Sequence, residues 1–314
     1  MATRAKSKGS GPYSYLGPAG TFTEAALAQV PEAAGAIWRS ANNVGQALDD
    51  VVKGRSVAAM IAIENSVDGG VTATQDALAN IPNLRIVGEY LVPVAFDLVA
   101  KPGTKLADIK VVNAHPVAYA QTRKWLEKNL PKHEHMPATS NVSSVVDLLA
   151  GTNGDAAIAP PGIDKHHNVT VLASGIGENP NAMTRFVLVS KTTTLPKPTG
   201  HDKTSIIVEL PADRAGALLE MLEQFATRGV NLSLIQSRPI GDELGRYRFV
   251  IDADGHVLDE RMSDALLGLR RFSPKVTFLG SYPRADRVPV DHHDQYSDKQ
   301  FKDARAWLSK ITGK

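Results

Sequence analysis

Thr184-Arg185-Phe186 puts a hydroxyl, a permanent cation and a ring where a polar stretch, Gly177 to Met183, runs into the apolar segment Phe186–Val189. That combination at the mouth of a strand suits an active-site floor better than a loop, although each residue type is ordinary in a strand. Four more polar clusters precede it. Gly17-Pro18-Ala19-Gly20-Thr21-Phe22-Thr23-Glu24 reads as a turn into a helix, with Thr21 and Glu24 spaced as a capping box. Free N–H groups at such a helix start suit a carboxylate, although a capped helix without a ligand fits the same residues. Ile63-Glu64-Asn65-Ser66-Val67-Asp68-Gly69-Gly70 delivers an acid, an amide and a hydroxyl from the end of an apolar run. Asn113-Ala114-His115-Pro116 places proline at a first helical turn, with Gln121 on the next. His115 there fits a cap or packing role as well as a substrate contact. Thr139-Ser140-Asn141-Val142-Ser143-Ser144 is again a helix start rich in donors and acceptors.

These clusters need strands and helices to converge. Apolar runs predict strands at Tyr13–Leu16, Val57–Ile63, Val92–Val99, Val111–Ala114, Ala156–Ala159 and Phe186–Val189. Helical spacing predicts Thr23–Gln29, Val44–Val52, Thr74–Ala79, Pro116–Asn129 and Ser144–Ala150, an α/β alternation. Ligands of open α/β sheets sit beyond the carboxyl ends of the strands, so the five clusters are expected to share one cleft. Donors outnumber acids among them, which predicts a small anion bearing oxygen substituents. Lys191 to Gly200, polar and proline-stiffened, reads as a linker. Beyond it come a strand (Thr204–Leu210), a helix (Ala215–Arg228), strands (Asn231–Ser237, Tyr247–Ala253), a helix (Leu258–Arg270) and a strand (Lys275–Ser281), a βαββαβ order. Leu218, Leu219, Leu222 and Phe225 are expected to face that sheet. Phe301, Ala304, Trp307, Leu308 and Ile311 make an apolar stripe on a last helix expected to dock back.

The 314 residues exceed most single cores, so two domains are expected. A net charge of +2 argues against a general nucleic-acid binder. The absence of cysteine excludes disulfides, thiolate metal sites and a cysteine nucleophile. No apolar run approaches the roughly 18 residues of a membrane helix, and no signal-peptide core follows the basic N-terminus, which predicts a cytoplasmic protein without a membrane partner. No GxGxxG or GxxxxGK[ST] pattern is present, and His133, His135, His166-His167 and Asp291-His292-His293-Asp294 have no third ligand at convincing spacing. Neither cofactor nor metal is expected. A GxSxG elbow is also missing.

The clusters, in this order, resemble the prephenate dehydratase family in its monofunctional form with an ACT regulatory domain. The match is carried by Gly17–Thr23, Ile63–Ser66, His115-Pro116, Asn181 with Thr184-Arg185-Phe186, and two ACT motifs, Gly216-Ala217-Leu218-Leu219 and Gln236-Ser237-Arg238-Pro239. It departs at Gln236, where the family usually has glutamate, at Ala114, and at Pro160-Pro161. The resemblance implies a two-lobed, periplasmic-binding-protein-like α/β catalytic domain with a central cleft, plus an α+β ferredoxin-like ACT domain. The implied divisions are a disordered tail (1–12), the catalytic domain (13–190), a linker (191–203), the ACT domain (204–282) and a tail with a short helix (283–314). It implies decarboxylating dehydration of prephenate to phenylpyruvate, with Thr184, Glu64 and Asn65 catalytic. Arg185, Ser66, Gly20, Thr21, His115, Gln121, Ser140, Asn141 and Phe186 would bind substrate. L-Phenylalanine would bind between paired ACT modules through Gly216, Ala217, Leu218, Asn231, Leu232, Ser237 and Arg238, in a homodimer or homotetramer. Arogenate dehydration is the nearest alternative; a non-catalytic small-anion sensor of the same fold is the alternative from another class.

Overall fold

The computed structural model describes residues 11–67, 69–241 and 245–313. Most of the expected N-terminal tail, residues 1–10, lies outside them. In chain order the elements are β1 (Tyr13–Leu16), α1 (Phe22–Leu27), β2 (Trp38–Ala41), α2 (Val44–Val52), β3 (Ala58–Asn65), β4 (Gly69–Gly70), α3 (Thr72–Asn80), β5 (Arg85–Pro93), β6 (Asp97–Ala100), β7 (Val111–Ala114), α4 (Pro116–Asn129), β8 (Glu134–Pro137), α5 (Asn141–Ala150), β9 (Ala156–Ala159), β10 (Thr170–Ala173), β11 (Met183–Ser190), β12 (Asp202–Glu209), α6 (Ala217–Ala226), β13 (Leu232–Pro239), β14 (Tyr247–Asp254), α7 (Glu260–Phe272), β15 (Val276–Pro283) and α8 (Asp298–Thr312). They form two compact units, one holding the chain up to Gly69 with Leu91–Phe186, the other Gly70–Tyr90 with the chain from Val187.

Strand β1 lies between β2 and β3, parallel to both, in a sheet ordered β2-β1-β3-β11-β5 with β4 on β3. A second sheet is ordered β10-β6-β9-β7-β8, with β7 parallel to β8 and β9, and β6 antiparallel to β9 and β10. The sequence reads Val92–Val99 as one strand. The chain instead leaves β5 at Pro93 and enters β6 at Asp97, in the other sheet. Val94 and Phe96 are apolar because this crossing is buried in the core of the second lobe. A second crossing segment runs beside it: Val94 N–H donates to the Ala182 carbonyl at 2.8 Å and Ile176 N–H to that of Phe96 at 2.9 Å. The expected strand at Phe186 starts earlier, at Met183, so Thr184 and Arg185 lie inside β11 rather than at its mouth. Strands β2, β8 and β10 are short and partly exposed, with no apolar run to announce them.

Helix starts follow side-chain chemistry. Asn43 accepts the Gln46 N–H, Ser140 forms a reciprocal capping box with Ser143, and Pro116 opens α4 behind His115.

The second unit contains the antiparallel sheet β13-β14-β12-β15, giving the expected βαββαβ order. Its core joins Ile206, Val208 and Ile251 to Met221 and Phe225 of α6 and Met262, Ala265 and Leu269 of α7. Ala217, Met221 and Phe225 form the buried face of α6, four residues apart. Leu218 and Leu219, expected to face the sheet, are 41% and 59% exposed, because they lie one and two positions round the helix from that face. The last helix is longer than its apolar stripe, and it does not bury it: α8 has no buried residue. Gly280 must be glycine, since its φ is +148° and a Cβ there would strike the Ile86 backbone.

Candidate active site

Strand alternation sorts the cluster at Thr184. Asn65 Nδ2 donates to Thr184 Oγ1 at 3.0 Å, across neighbouring strands. One residue away on each strand, Arg185 Nε donates to Glu64 Oε2 at 2.8 Å. Successive strand residues point to opposite faces, so the Asn65–Thr184 pair and the Glu64–Arg185 pair look in opposite directions. The sequence reading gathers all four into one crevice; the pleat separates them. Arg185 is buried at 6% exposure with a carboxylate of the protein as partner, which makes it a brace between strands. Glu64 reaches Arg185 on the face opposite Thr184, so it is poorly placed as the acid partner of that hydroxyl. Ser66 extends the stitch: its hydroxyl accepts the Met183 N–H at 2.9 Å and its own N–H donates to the Met183 carbonyl. Phe186 is 2% exposed, a core residue rather than a substrate contact.

Asn65 and Thr184 open into a cavity of about 150 Å³ within the first unit. Phe22, Val94, Phe96 and Ala118 supply its apolar walls, and His115, Gln121 and Asn141 its other polar groups. Phe22 and Phe96 meet edge to face, with ring centroids 6.0 Å apart. Cavities of about this volume hold a benzene-sized ring. Val94 and Phe96 carry no functional signal in the sequence because they sit in a run that looks like an ordinary strand, and Phe22 stands out there only within its glycine-rich cluster.

The first turns of two helices line this cavity: His115, Val117 and Ala118 of α4, and Asn141 of α5. Helix starts carry partial positive charge and unpaired N–H groups, so together they favour an anion. Buried hydrogen bonds hold α5 in place. Asn113 Nδ2 donates to the Ser144 carbonyl at 3.1 Å, and Ser144 Oγ donates to that of Ile158 at 3.1 Å. Ser140 spends its side chain on the cap, accepting the Ser143 N–H at 2.9 Å. Asn141 Oδ1 is buried without a hydrogen-bond partner among the described residues. A buried orphan acceptor is costly unless something with a donor occupies the site.

Gly20 and Thr21 face elsewhere. They line a separate groove of about 580 Å³ with Trp38, Pro93, Pro160, Pro161 and His166. The Gly20 N–H is taken by the Glu24 carboxylate, and Thr21 caps Glu24 N–H, so neither offers the open anion site expected of them. In the second unit Gly216 is left-handed (φ +86°), while Ala217 and Leu218 border a hollow of about 340 Å³ with Asp213, Arg214 and Tyr247. Ser237 is exposed and Leu232 half-buried. Asn231 Nδ2 donates to Asp254 Oδ2, and Arg238 is held by Asp76.

Residues 13–194 match the family model for prephenate dehydratase, and residues 204–270 that for the ACT domain. A prephenate dehydratase of Amycolatopsis methanolica is 42% identical over 298 residues, covering 95% of this chain and 96% of that one. The chain belongs to the prephenate dehydratase family. Among solved structures, a prephenate dehydratase from Arthrobacter aurescens in complex with L-Phe is 51% identical, covers 96% of this chain and 100% of its own, and superposes with a TM-score of 0.92. A structure described as a quorum-quenching acylase, GqqA, reaches a TM-score of 0.76 at 27% identity, covering 87% of this chain and 97% of its own. The chain therefore carries a prephenate dehydratase domain, a lyase, followed by an ACT domain. Among the described residues no helix is long and apolar enough to cross a membrane.

Proposed function

We propose that the Asn65–Thr184 cavity converts prephenate to phenylpyruvate, carbon dioxide and water. The observation that carries this reading is the hydrogen bond from Asn65 Nδ2 into Thr184 Oγ1 at the cavity wall. That bond occupies an acceptor site of the hydroxyl and turns its proton outward, toward a reacting oxygen. As the ring carboxylate leaves, the electron pair of its C–C bond moves through the diene and the ring C–O bond breaks. Thr184 O–H then hydrogen-bonds the departing oxygen, which leaves as hydroxide and takes up a proton from solvent to become water. Asn141 Oδ1, otherwise unpaired, accepts the hydrogen of the same substrate hydroxyl. Asn65 donates, Thr184 accepts and donates, the substrate hydroxyl accepts and donates, and Asn141 accepts, so every group in the chain is used in its ordinary sense. The α4 and α5 starts, with His115 and Gln121, hydrogen-bond the carboxylates, and Phe22 and Phe96 together form an apolar wall beside the forming aromatic ring. Glu64, Arg185 and Ser66 act on the structure by fixing β3 against β11.

L-Phenylalanine is the proposed effector, bound by the ACT module around Gly216–Leu218, Asn231, Leu232 and Ser237 of a homodimer or homotetramer in the cytoplasm. The L-Phe complex of the Arthrobacter aurescens relative supports it. The chain is divided as catalytic (13–190), linker (191–203), regulatory (204–282) and tail (283–314).

Incubating the protein with prephenate and following phenylpyruvate absorbance tests the catalytic reading; no product from a folded preparation would overturn it. A parallel assay on L-arogenate decides between the two substrates.

A further inference from the structure

We propose that Gln75 and Asp76 of α3 form a clasp that carries effector occupancy from the regulatory strand β13 to the catalytic segment; this rests on the phenylalanine reading above. Along β13 the exposed side chains are Ser233, Ile235, Ser237 and Pro239, while Gln236 and Arg238 turn to the other side. That second side grips α3, within the same compact unit. Gln75, 1% exposed, donates from Nε2 to Gln236 Oε1 at 2.5 Å. Asp76 takes both Nε–H (3.2 Å) and Nη2–H (2.6 Å) of Arg238, and Nη2–H of Arg248 at 3.1 Å. Asn80 Oδ1 takes Nη1–H of Arg248 at 3.2 Å. The regulatory motif is therefore divided by the pleat: Ser237 is open to an effector, and Gln236 and Arg238 are committed to the helix.

The clasp resists being pulled apart. Arg238 and Arg248 stand directly opposite each other on β13 and β14, a like-charge pair that destabilises a sheet unless a counterion lies between. Asp76 is that counterion. Arg248 is 5% exposed, so separating α3 from the β13–β14 pair would leave a buried guanidinium short of its charge partner. The tie reaches the chain that follows the catalytic segment in sequence. A Cβ on Gly70 would collide with the Gln236 side-chain amide, so the motif residue lies on the Gly70 backbone. Only residues 66–69 separate Gly70 from Asn65, which aims the Thr184 hydroxyl. Displacing β13 moves α3 and Gly70 together and misdirects Asn65, so the effector acts mainly on turnover.

The test uses the full chain as Gln75→Leu and Asp76→Asn, neither residue being in the cavity or among the effector contacts. Calorimetry measures L-phenylalanine binding, and steady-state kinetics on prephenate measure inhibition. Both variants are expected to bind phenylalanine and to turn over prephenate as the wild type does without effector. Their inhibitory concentration should rise about tenfold or more, within the range of allosteric couplings. A purely structural role would lower thermal stability without separating binding from inhibition. Inhibition at the wild-type concentration in folded Gln75→Leu, with binding intact, overturns the clasp and leaves the phenylalanine reading standing. If the wild type itself binds no phenylalanine, that reading fails and the clasp with it. Should Asp76→Asn fail to fold with its arginines unneutralised, Gln75→Leu decides alone.

Discussion

Thr184 and Arg185 are neighbours in sequence with opposite duties. The pleat turns Thr184 toward the cavity and Arg185 toward Glu64, so their variants should fail differently. Thr184→Ala is expected to lower kcat on prephenate by about 10²–10³-fold, the scale of one donor aimed at developing negative charge on oxygen, and Thr184→Ser to keep much of the activity. Full turnover in purified Thr184→Ala would remove the hydroxyl from the chemistry. Asn141→Ala should lower kcat by about tenfold, a loss of ~1.4 kcal/mol typical of one hydrogen bond, with KM less affected. A KM effect alone would make Asn141 a ground-state contact instead. The residue types of the site were readable because hydroxyls, amides and a histidine crowd the starts of helices. Their grouping was not, because Glu64, Asn65, Thr184 and Arg185 differ only in the face of the sheet they occupy.

Elements repeat that lesson. Helices α2 and α4 follow their sequence pattern residue for residue, since apolar spacing and caps are local properties. The crossing at Val94–Phe96 does not, because burial makes a connector as apolar as a strand. Helix α3 looks like a short amphipathic segment until β13 and β14 are set against it. Arg238 hydrogen-bonding holds the Asp76 carboxyl below its ordinary value, with Arg248 acting in the same direction. A depressed carboxyl stabilises the fold above its unfolded pKa, about 3.9, and that stability is lost as pH falls through the folded value. Denaturant midpoints from pH 6 down to pH 3 should therefore fall more steeply in the wild type than in Asp76→Asn. Parallel curves would show that the clasp contributes nothing to acid stability. The Lys203–Glu89 pair, 2.9 Å apart and almost wholly buried, makes a second case. Lys203→Met removes a buried charge partner of Glu89 and should destabilise by about 3–5 kcal/mol in chemical denaturation. A change below 1 kcal/mol would mean that water or Arg284 takes over.

At the scale of the molecule the apolar stripe of α8 shows how far periodicity reaches. Phe301, Trp307, Leu308 and Ile311 recur at helical spacing and do form a helix, yet Trp307 stays 64% exposed. Ending the chain before Asp298 should consequently change unfolding free energy by no more than about 1 kcal/mol, because truncation tolerance follows burial. A larger loss would show the helix covered in solution. The sequence by itself determined the α/β alternation, the βαββαβ module, the capped helix starts and the set of polar residues from which a dehydratase site could be drawn. All of these depend on neighbours a few residues apart. Only the tertiary structure decided which polar residues meet: Thr184 with Asn65, Arg185 with Glu64, Arg238 with Asp76. Those choices depend on strand register and pleat across more than a hundred residues of chain, which no local pattern encodes.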